Sequence, residues 1–470
     1  MSSYRGRPSN FSNWRDSAAV PVASDPSTKP SYPIIRGRPL NFSNWRDRAA
    51  VPVASDPSPE HPDDRNIMDG LLPVPSQRLK VPVNSTLPDG SVKIENLQYI
   101  ASYNWIKGPG DQPTIIVPGS PPEWQNIAPP YTVTADTGKS FVDQNGHWLP
   151  SATLAPLVVA VNTQQAETGN PSNFDWSSVD LVTDRNGLRK LLRWITGPTE
   201  ERESMRTIKD FRIDMQLAGE KTMLFNRWEK RTEEECSGFT FGYNFEKKTT
   251  VPANDCEKST GHHRIIQYDL NGFKIVVRFE VDACLPPTDP VVDRNESFDV
   301  DQLASTLATT SISSPQRPQS TKFTSIPVGA TRILQVAKGG SVTPQSSLIE
   351  LTTRSQRRLA DLRWEESFPQ LFLSQTPYHY LGVHQSGRFV EVQKRDLGKD
   401  PELLKAEKMS EMNLKKLRVA LELIREIVVD AGEEGRLSLV CRDGKLEVYE
   451  RRSDTGCLPE TFIRQFRART

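Results

Sequence analysis

The chain has 470 residues, and its 59 lysine and arginine residues balance 59 aspartate and glutamate residues. This balance excludes a global field that would draw the protein to nucleic acid or to an anionic membrane, so any such binding must be local. Five cysteines without a CxxC pair, and a start without an apolar signal segment, predict an intracellular protein of the nucleus or the cytoplasm. The longest apolar run, residues 154–161, is too short to span a bilayer, so no membrane association is expected.

The first 85 residues have the composition of a disordered tail. Residues 5–27 recur at 36–58 with two differences, which makes a 31-residue tandem repeat. Two copies are too few for a solenoid, and the high Pro and Ser content disfavours a packed fold. An alternative remains open, in which the repeat is a docking motif for a protein partner built on Phe11, Trp14 and their counterparts Phe42 and Trp45.

The remaining chain predicts one α+β domain with a mixed sheet, formed by residues 86–285 and 341–470 around a disordered insertion at 286–340. A helix is expected after Asp184, because leucines follow it at helical spacing. Asn271-Gly272 and Asp443-Gly444 each predict a type I′ hairpin. Short strands, including GYNFE, are expected in the first part of the domain, residues 86–285. A helical stretch over 353–375 and an amphipathic helix over 413–431 are expected in its second part, residues 341–470.

Three stretches carry acidic side chains among apolar neighbours: GYNFEKK, RFEVDACL and SSLIELTTR. Side chains two apart on a strand share a face, so the glutamate and the aspartate of FEVD point the same way. Carboxylates on adjacent strands repel each other unless a divalent cation neutralises them. We therefore expect a Mg²⁺ or Mn²⁺ site for phosphoryl chemistry. Its expected ligands are Glu246, Glu280, Asp282 and Glu350. For any one strand alone, the alternative is an ordinary solvated sheet face.

The order of the motifs RNGLRKLL, GYNFE, FEVD, IELTT and PQLFLSQ resembles that of the DXO-type decapping exonucleases, a branch of the PD-(D/E)XK nuclease superfamily. The resemblance implies a mixed sheet flanked by helices and a metal-dependent nuclease that acts on RNA 5′ ends, by decapping or by phosphodiester hydrolysis. It also implies that the four carboxylates bind the metal and that Arg185 and Gln370 contact the substrate.

The chain departs from the resembled family at one position, because Thr352 stands where the family has a lysine. That lysine would supply positive charge at the reacting phosphate, which a hydroxyl cannot do. Arg354 lies on the same strand face and is the expected replacement. The alternative is a catalytically impaired protein that binds RNA or a protein partner without cleaving.

Two further groups are candidates for binding. His263 and Arg264 are expected to meet a phosphate at the mouth of the cleft. Cys236 and Cys256, with His262 and His263, have the composition of a zinc site, but their spacing matches no standard pattern.

The chain is also similar to a group of uncharacterised fungal proteins that are sometimes labelled geranylgeranyl pyrophosphate synthetases. The sequence does not support a prenyl diphosphate synthase. Such an enzyme needs two DDxxD-type motifs on helices, and the one DD pair, Asp63-Asp64, lies in the expected tail.

Overall fold

The computed structural model describes residues 64–108, 110, 112–167, 174–197, 210–236, 238–287, 322–329 and 331–468. The tandem repeat and residues 288–321 of the expected insertion lie outside the described residues. Within the described part, the fold is a mixed α+β arrangement of two large sheets, a short strand pair and flanking helices, as the sequence predicts.

The larger sheet has twelve strands among the described residues. They are Gln77–Leu79 (β1), Ile94–Lys107 (β2), Pro113–Pro118 (β3), Leu181–Asp184 (β7), Phe211–Ala218 (β8), Thr222–Trp228 (β9), Ser259–Leu270 (β12), Phe273–Val281 (β13), Phe323–Pro327 (β15), Ile333–Gly339 (β16), Leu437–Arg442 (β20) and Lys445–Glu450 (β21). Their order in the sheet is β1-β21-β20-β8-β9-β7-β13-β12-β2-β3-β16-β15. Most neighbours are antiparallel, but β13 is parallel to β7, β7 to β9, and β16 to β3.

The second sheet has seven described strands in the order β11-β4-β14-β17-β18-β19-β5, and β17 and β18 are parallel. Its strands are Glu123–Trp124 (β4), Tyr131–Thr132 (β5), Thr250–Val251 (β11), Ala283–Cys284 (β14), Leu348–Ser355 (β17), Tyr378–Gln385 (β18) and Arg388–Asp396 (β19). A separate pair consists of Lys139–Phe141 (β6) and Glu233–Glu235 (β10).

Seven α-helices are described: Gln144–Trp148 (α1), Ala155–Glu167 (α2), Arg185–Thr196 (α3), Gly242–Thr249 (α4), Trp364–Ser374 (α5), Pro401–Ala431 (α6) and Glu460–Ile463 (α7). Helix α6 begins twelve residues before the expected start, because Asp400 caps it and Pro401 occupies its first turn. It ends before Gly432, which has a φ of 70°. No helix in the described residues is long and apolar enough to cross a membrane.

The larger sheet buries apolar side chains on both faces. Along β13, Val277 and Phe279 pack into the cluster that also contains residues of α3, α5 and α6. Val276 faces the opposite cluster, which contains apolar residues of the first half of α2. This alternation is the period of two expected for a strand covered on both sides. The apolar run at 154–161 is thereby explained as part of a buried helix.

Three expected boundaries need correction. Residues 64–85 belong to the fold rather than to the tail, because β1 pairs with β21 and both Ile67 and Leu71 are buried. The last part of the expected insertion, 322–340, contains β15 and β16. The helix expected over 353–375 is shorter, because residues up to Ser355 are held extended by pairing with β18 and the helix begins at Trp364.

The hairpin predictions at two turns are confirmed. Asn271 and Gly272 have φ values of 47° and 77°, and they join β12 to β13. Asp443 and Gly444 have φ values of 50° and 72°, and they join β20 to β21. Both pairs adopt the positive φ that a type I′ turn requires at its two central residues.

Candidate metal and phosphate site

Two of the predicted ligands lie where β13 gives way to β14. Glu280 is near the end of β13, and Asp282 occupies the break between the two strands. Strand β14 pairs antiparallel with β17, and this register, continued by one residue, places Asp282 opposite Glu350. The Asp282 carboxylate accepts a hydrogen bond of 2.8 Å from the backbone N–H of Leu351. The chain passes from one large sheet to the other at the carboxylate cluster.

Glu246 reaches the same region from a helix, which corrects the prediction that GYNFE is a strand. Helix α4 begins at Gly242, and its first turn is fixed by Asp136, whose carboxylate accepts hydrogen bonds from the backbone N–H groups of Tyr243 (3.4 Å) and Asn244 (2.9 Å). A carboxylate at this position satisfies N–H groups that have no partner within the helix. Phe245 anchors the helix in the core of the second sheet.

Three carboxylates of this cluster, Glu246, Glu280 and Asp282, have a raised pKa. Burial, followed by the charges of Glu280 and Glu350, raises the pKa of Glu246 to about 8. Burial, followed by Glu350 and Glu246, holds the pKa of Asp282 well above its usual range. Desolvation by the surrounding protein raises the pKa of Glu280, and the charge of Arg227 opposes that change. Glu280 is nevertheless exposed in the fold, so solvent reaches the cluster at this residue.

Glu350 is engaged by two of the residues predicted to contact substrate. Its side chain is buried, and one oxygen accepts a hydrogen bond of 2.9 Å from Arg185. The other oxygen accepts a hydrogen bond from Gln370 on α5. The Arg185 guanidinium also lies over the Phe279 ring, at 5.6 Å from its centroid. Arg185 and Gln370 therefore border the carboxylate cluster.

The donor set of the cluster matches a hard divalent cation. Four carboxylates supply only oxygen ligands, which Mg²⁺ and Mn²⁺ prefer, and their mutual repulsion is what a bound cation would remove. In the placement seen, no three His, Cys, Asp or Glu side chains of the described residues are arranged as a metal-binding group. Both oxygens of Glu350 accept hydrogen bonds, from Arg185 and Gln370, so a cation bound by Glu350 would take the place of one of these donors.

Thr352, which stands where the resembled family has a lysine, contacts His379, a residue that was not predicted from the sequence. The Thr352 hydroxyl lies 2.9 Å from Nε2 of His379, and His379 is the register partner of Glu350 on β18. Only 1% of the His379 surface is exposed, and burial lowers its pKa to about 4. The Thr352–His379 pair is therefore neutral near pH 7 and does not replace the positive charge of a lysine.

The arginine expected to supply charge at the carboxylates, Arg354, is not the one that contacts them. Arg354 forms no ion pair with any residue that the structure describes, whereas Arg185 contacts Glu350 directly. Arg227 opposes the raised pKa of Glu280 from β9. Nothing in the sequence around Arg227 marked it as part of the site.

His263 and Arg264 lie in the interior rather than at a cleft mouth, which corrects that expectation. Both are at most 5% exposed. The His263 ring stacks on Tyr103 at 5.1 Å between centroids. Arg264 donates a 2.7 Å hydrogen bond to Gln345. Their partners are protein groups, and neither offers a surface to a substrate.

The zinc alternative has no support among the described residues, where no group of three potential ligands of this kind is arranged around a common point. His262 instead shares a 2.7 Å hydrogen bond with Asn104, and Cys256 is a buried free thiol.

Comparison with solved structures identifies the fold. Scheffersomyces stipitis Rai1, solved in complex with (3′-NADP)⁺ and calcium ion, superposes with a TM-score of 0.51 at 12% identity, covering 83% of this chain and 99% of that chain. Candida albicans Rai1 in complex with pU5-Mn²⁺ gives 0.49 at 11% identity, with 83% and 98% covered. Schizosaccharomyces pombe Rai1 in complex with 3′-FADP gives 0.46 at 13% identity, with 78% and 97% covered.

No curated protein matches this sequence. The fold is that of the Rai1 proteins, on the likeness to the Scheffersomyces stipitis structure. A family model described as "Domain of unknown function (DUF8563)" matches residues 82–466, and the chain therefore belongs to this family.

Proposed function

We propose that this protein is a metal-dependent nuclease that acts on RNA 5′ ends. One observation carries the proposal: the β14–β17 register sets Asp282, which accepts a hydrogen bond from the Leu351 N–H, opposite Glu350, and the charge of Glu350 acts on both Asp282 and Glu246 of α4. The Rai1-like fold supports it, since the Scheffersomyces stipitis protein was solved in complex with (3′-NADP)⁺ and calcium ion. The motif resemblance to decapping exonucleases directs the choice of RNA 5′ ends, in the nucleus or the cytoplasm.

The side chains divide the work as follows. Glu246, Glu280, Asp282 and Glu350 would hold Mg²⁺ or Mn²⁺. When bound, such an ion supplies positive charge for a phosphodiester or cap pyrophosphate and activates a water molecule. The hydrogen bond from the Leu351 N–H holds one oxygen of Asp282, which leaves the other oxygen to bind the ion. Arg185, which now donates to Glu350, would be placed to donate to a phosphate oxygen of the substrate, as guanidinium groups do well.

Metal-dependent cleavage is the test. Mn²⁺ or Mg²⁺ is titrated into the protein with 5′-end-labelled single-stranded RNA, and products are resolved by size. We expect cleavage only with added metal, and a loss of about a hundredfold or more in Asp282→Asn. The control is Asp89→Asn, at an exposed position. Cleavage in excess chelator, or equal activity of Asp282→Asn and wild type, would contradict the proposal.

A second candidate is an RNA-binding protein that does not cleave. It is favoured by the neutral Thr352–His379 pair at the lysine position and by the engagement of Glu350 with Arg185. The same titration separates the two functions, because binding of the labelled RNA without any product in Mn²⁺ or Mg²⁺ selects the second.

A further inference from the structure

Helix α3 carries a second arginine one turn beyond Arg185. Arg185 and Arg189 are four residues apart, which places neighbouring Cβ atoms about 5–6 Å apart on the same side of a helix. Two like charges at this spacing destabilise a helix. The position is therefore unfavourable for the fold unless Arg189 has a partner.

Arg189 has no such partner in the described protein. It forms no ion pair and donates no hydrogen bond there, whereas the adjacent Lys190 lies 3.0 Å from Glu229. Its side chain is only partly exposed. Burial, followed by the charges of Arg185 and Arg193, lowers its pKa to about 10, while Glu350 and Glu366 act in the opposite direction from beyond ion-pair distance. A partly desolvated cation that forms no direct ion pair costs stability, and such groups concentrate at binding sites.

The surroundings indicate what the missing partner is. Arg189 lies one turn along α3 from Arg185, which donates a 2.9 Å hydrogen bond to Glu350 of the carboxylate cluster, and the charge of Glu350 acts on Arg189 as well. The cluster itself lacks the cation expected at position 352, where a neutral hydroxyl contacts His379. A guanidinium presents a planar fork of donors that matches the oxygens of a phosphate. Two guanidiniums one turn apart can share a single phosphate between them.

We propose that Arg189, together with Arg185, binds a phosphate group of the substrate beside the carboxylate cluster, and so supplies the positive charge that Thr352 lacks. This inference rests on the proposed function, because it takes RNA as the substrate. The motif resemblance does not assign Arg189, whose role is inferred from its place on α3 one turn from the arginine that contacts Glu350.

Binding is measured without cleavage, so that the result does not depend on activity. A fluorescent single-stranded RNA with a 5′-phosphate is titrated in Ca²⁺ at several salt concentrations, with wild type, Arg189→Gln, Arg189→Lys and Arg193→Gln. We expect Arg189→Gln to bind about tenfold more weakly or more, the size of one lost charge-assisted hydrogen bond. The slope of log affinity against log salt should fall by about 0.7, for one phosphate contact on a single strand. Arg189→Lys should retain part of the affinity.

Arg193→Gln is the matched control, because Arg193 lies one turn further along α3 and is exposed. It should bind as wild type does. Equal affinity of Arg189→Gln and wild type, or no binding of this RNA by wild type, would overturn the inference. If wild type binds but does not cleave in Mn²⁺, the proposed nuclease function fails while the comparison of Arg189→Gln with wild type still decides the role of Arg189.

Thermal unfolding distinguishes a binding role from a structural one. A cation without a protein partner should not stabilise the fold, so the melting temperature of Arg189→Gln should equal or exceed that of wild type. Inorganic pyrophosphate should raise the melting temperature of wild type more than that of Arg189→Gln. A melting temperature several degrees below wild type would mean that Arg189 has a structural partner, and would overturn the inference.

Discussion

Asp184 and Arg278 form a buried ion pair in which both carboxylate oxygens accept hydrogen bonds from the guanidinium, at 2.6 and 2.8 Å. Asp184 precedes α3 in the N-cap position, as predicted, but its side chain makes no capping hydrogen bond. Its carboxylate pairs with Arg278 of β13 instead. The pair therefore fixes the start of α3, and with it Arg185, relative to the strand that carries Glu280.

Removing the charge of Asp184 is the first prediction. Arg278 is fully buried, so Asp184→Asn would leave its guanidinium without its counter-ion. Losing one partner of a buried ion pair costs roughly 3–5 kcal/mol. Urea unfolding should show a decrease of this order in the free energy of unfolding, whereas the exposed Asp89→Asn should change it little. A decrease as small as that of Asp89→Asn would show that Arg278 finds another partner.

The second prediction is a pH dependence set by Glu246. Its pKa rises from an ordinary value of 4.5 to about 8 in the folded protein. Between these values the folded state binds more protons than the unfolded state, so the free energy of unfolding falls as pH rises. The slope contributed by this one group is at most about 1.4 kcal/mol per pH unit.

Urea unfolding in chelator at several pH values between about 5 and about 8 measures this slope. Glu246→Gln removes the titrating group, so its slope should be flatter than that of wild type. Adding Mn²⁺ should stabilise wild type most at the upper end of the range, where the carboxylates are ionised and repel one another. A stability that rises with pH over this interval in chelator would contradict the prediction.

The third prediction concerns the N-terminal boundary. A chain that begins at residue 86 lacks β1 and the buried side chains of Ile67 and Leu71. Burying each such side chain is worth about 1.5–3 kcal/mol. Arg212 would also lose its hydrogen bonds to the backbone carbonyls of Ile67 and Asp69. We therefore expect a melting temperature several degrees below that of a chain that begins at residue 64, measured by calorimetry. Equal melting temperatures would show that residues 64–85 contribute nothing.

The fourth prediction is an exchange of charge between two positions. If Arg189 supplies the cation that Thr352 lacks, Arg189→Gln should reduce Mn²⁺-dependent cleavage, and adding Thr352→Lys to it should restore part of the loss. A positioned charge of this kind is typically worth about 10²–10³ in rate. Thr352→Met in the same background is the uncharged control. Rescue by both substitutions would show that size rather than charge matters.

In wild type, Thr352→Lys alone should raise cleavage only slightly, because the charge is already present at Arg189. A gain as large as the typical 10²–10³ would mean that Arg189 does not supply this charge, and would favour a weakened enzyme.

The sequence predicted best what depends on neighbouring residues. The type I′ turns at Asn271-Gly272 and Asp443-Gly444 follow from residue types that tolerate positive φ. Strand periodicity likewise predicted that Glu280 and Asp282 share a face, but the antiparallel register that sets Asp282 opposite Glu350 was not predicted.

The errors fall where distant residues decide the local structure. GYNFEKK is short and rich in aromatic residues, so it has the pattern of a strand, yet it forms a helix. Asp136 holds its first turn from more than a hundred residues away in the chain. Arg227 and His379 face the carboxylate cluster from strands whose partners no local pattern specifies. Such contacts arise from the tertiary fold and leave no periodic signal.

The passage of residues 273–284 through both large sheets has a mechanical consequence. In this segment β13 belongs to the twelve-stranded sheet and β14 to the seven-stranded sheet, and Asp282 is the one residue between the two strands. A cation that draws Glu280, Asp282 and Glu350 toward a common point would also fix the angle at which the sheets meet. Binding of a cation at these carboxylates and restriction of the angle between the two sheets would therefore occur together.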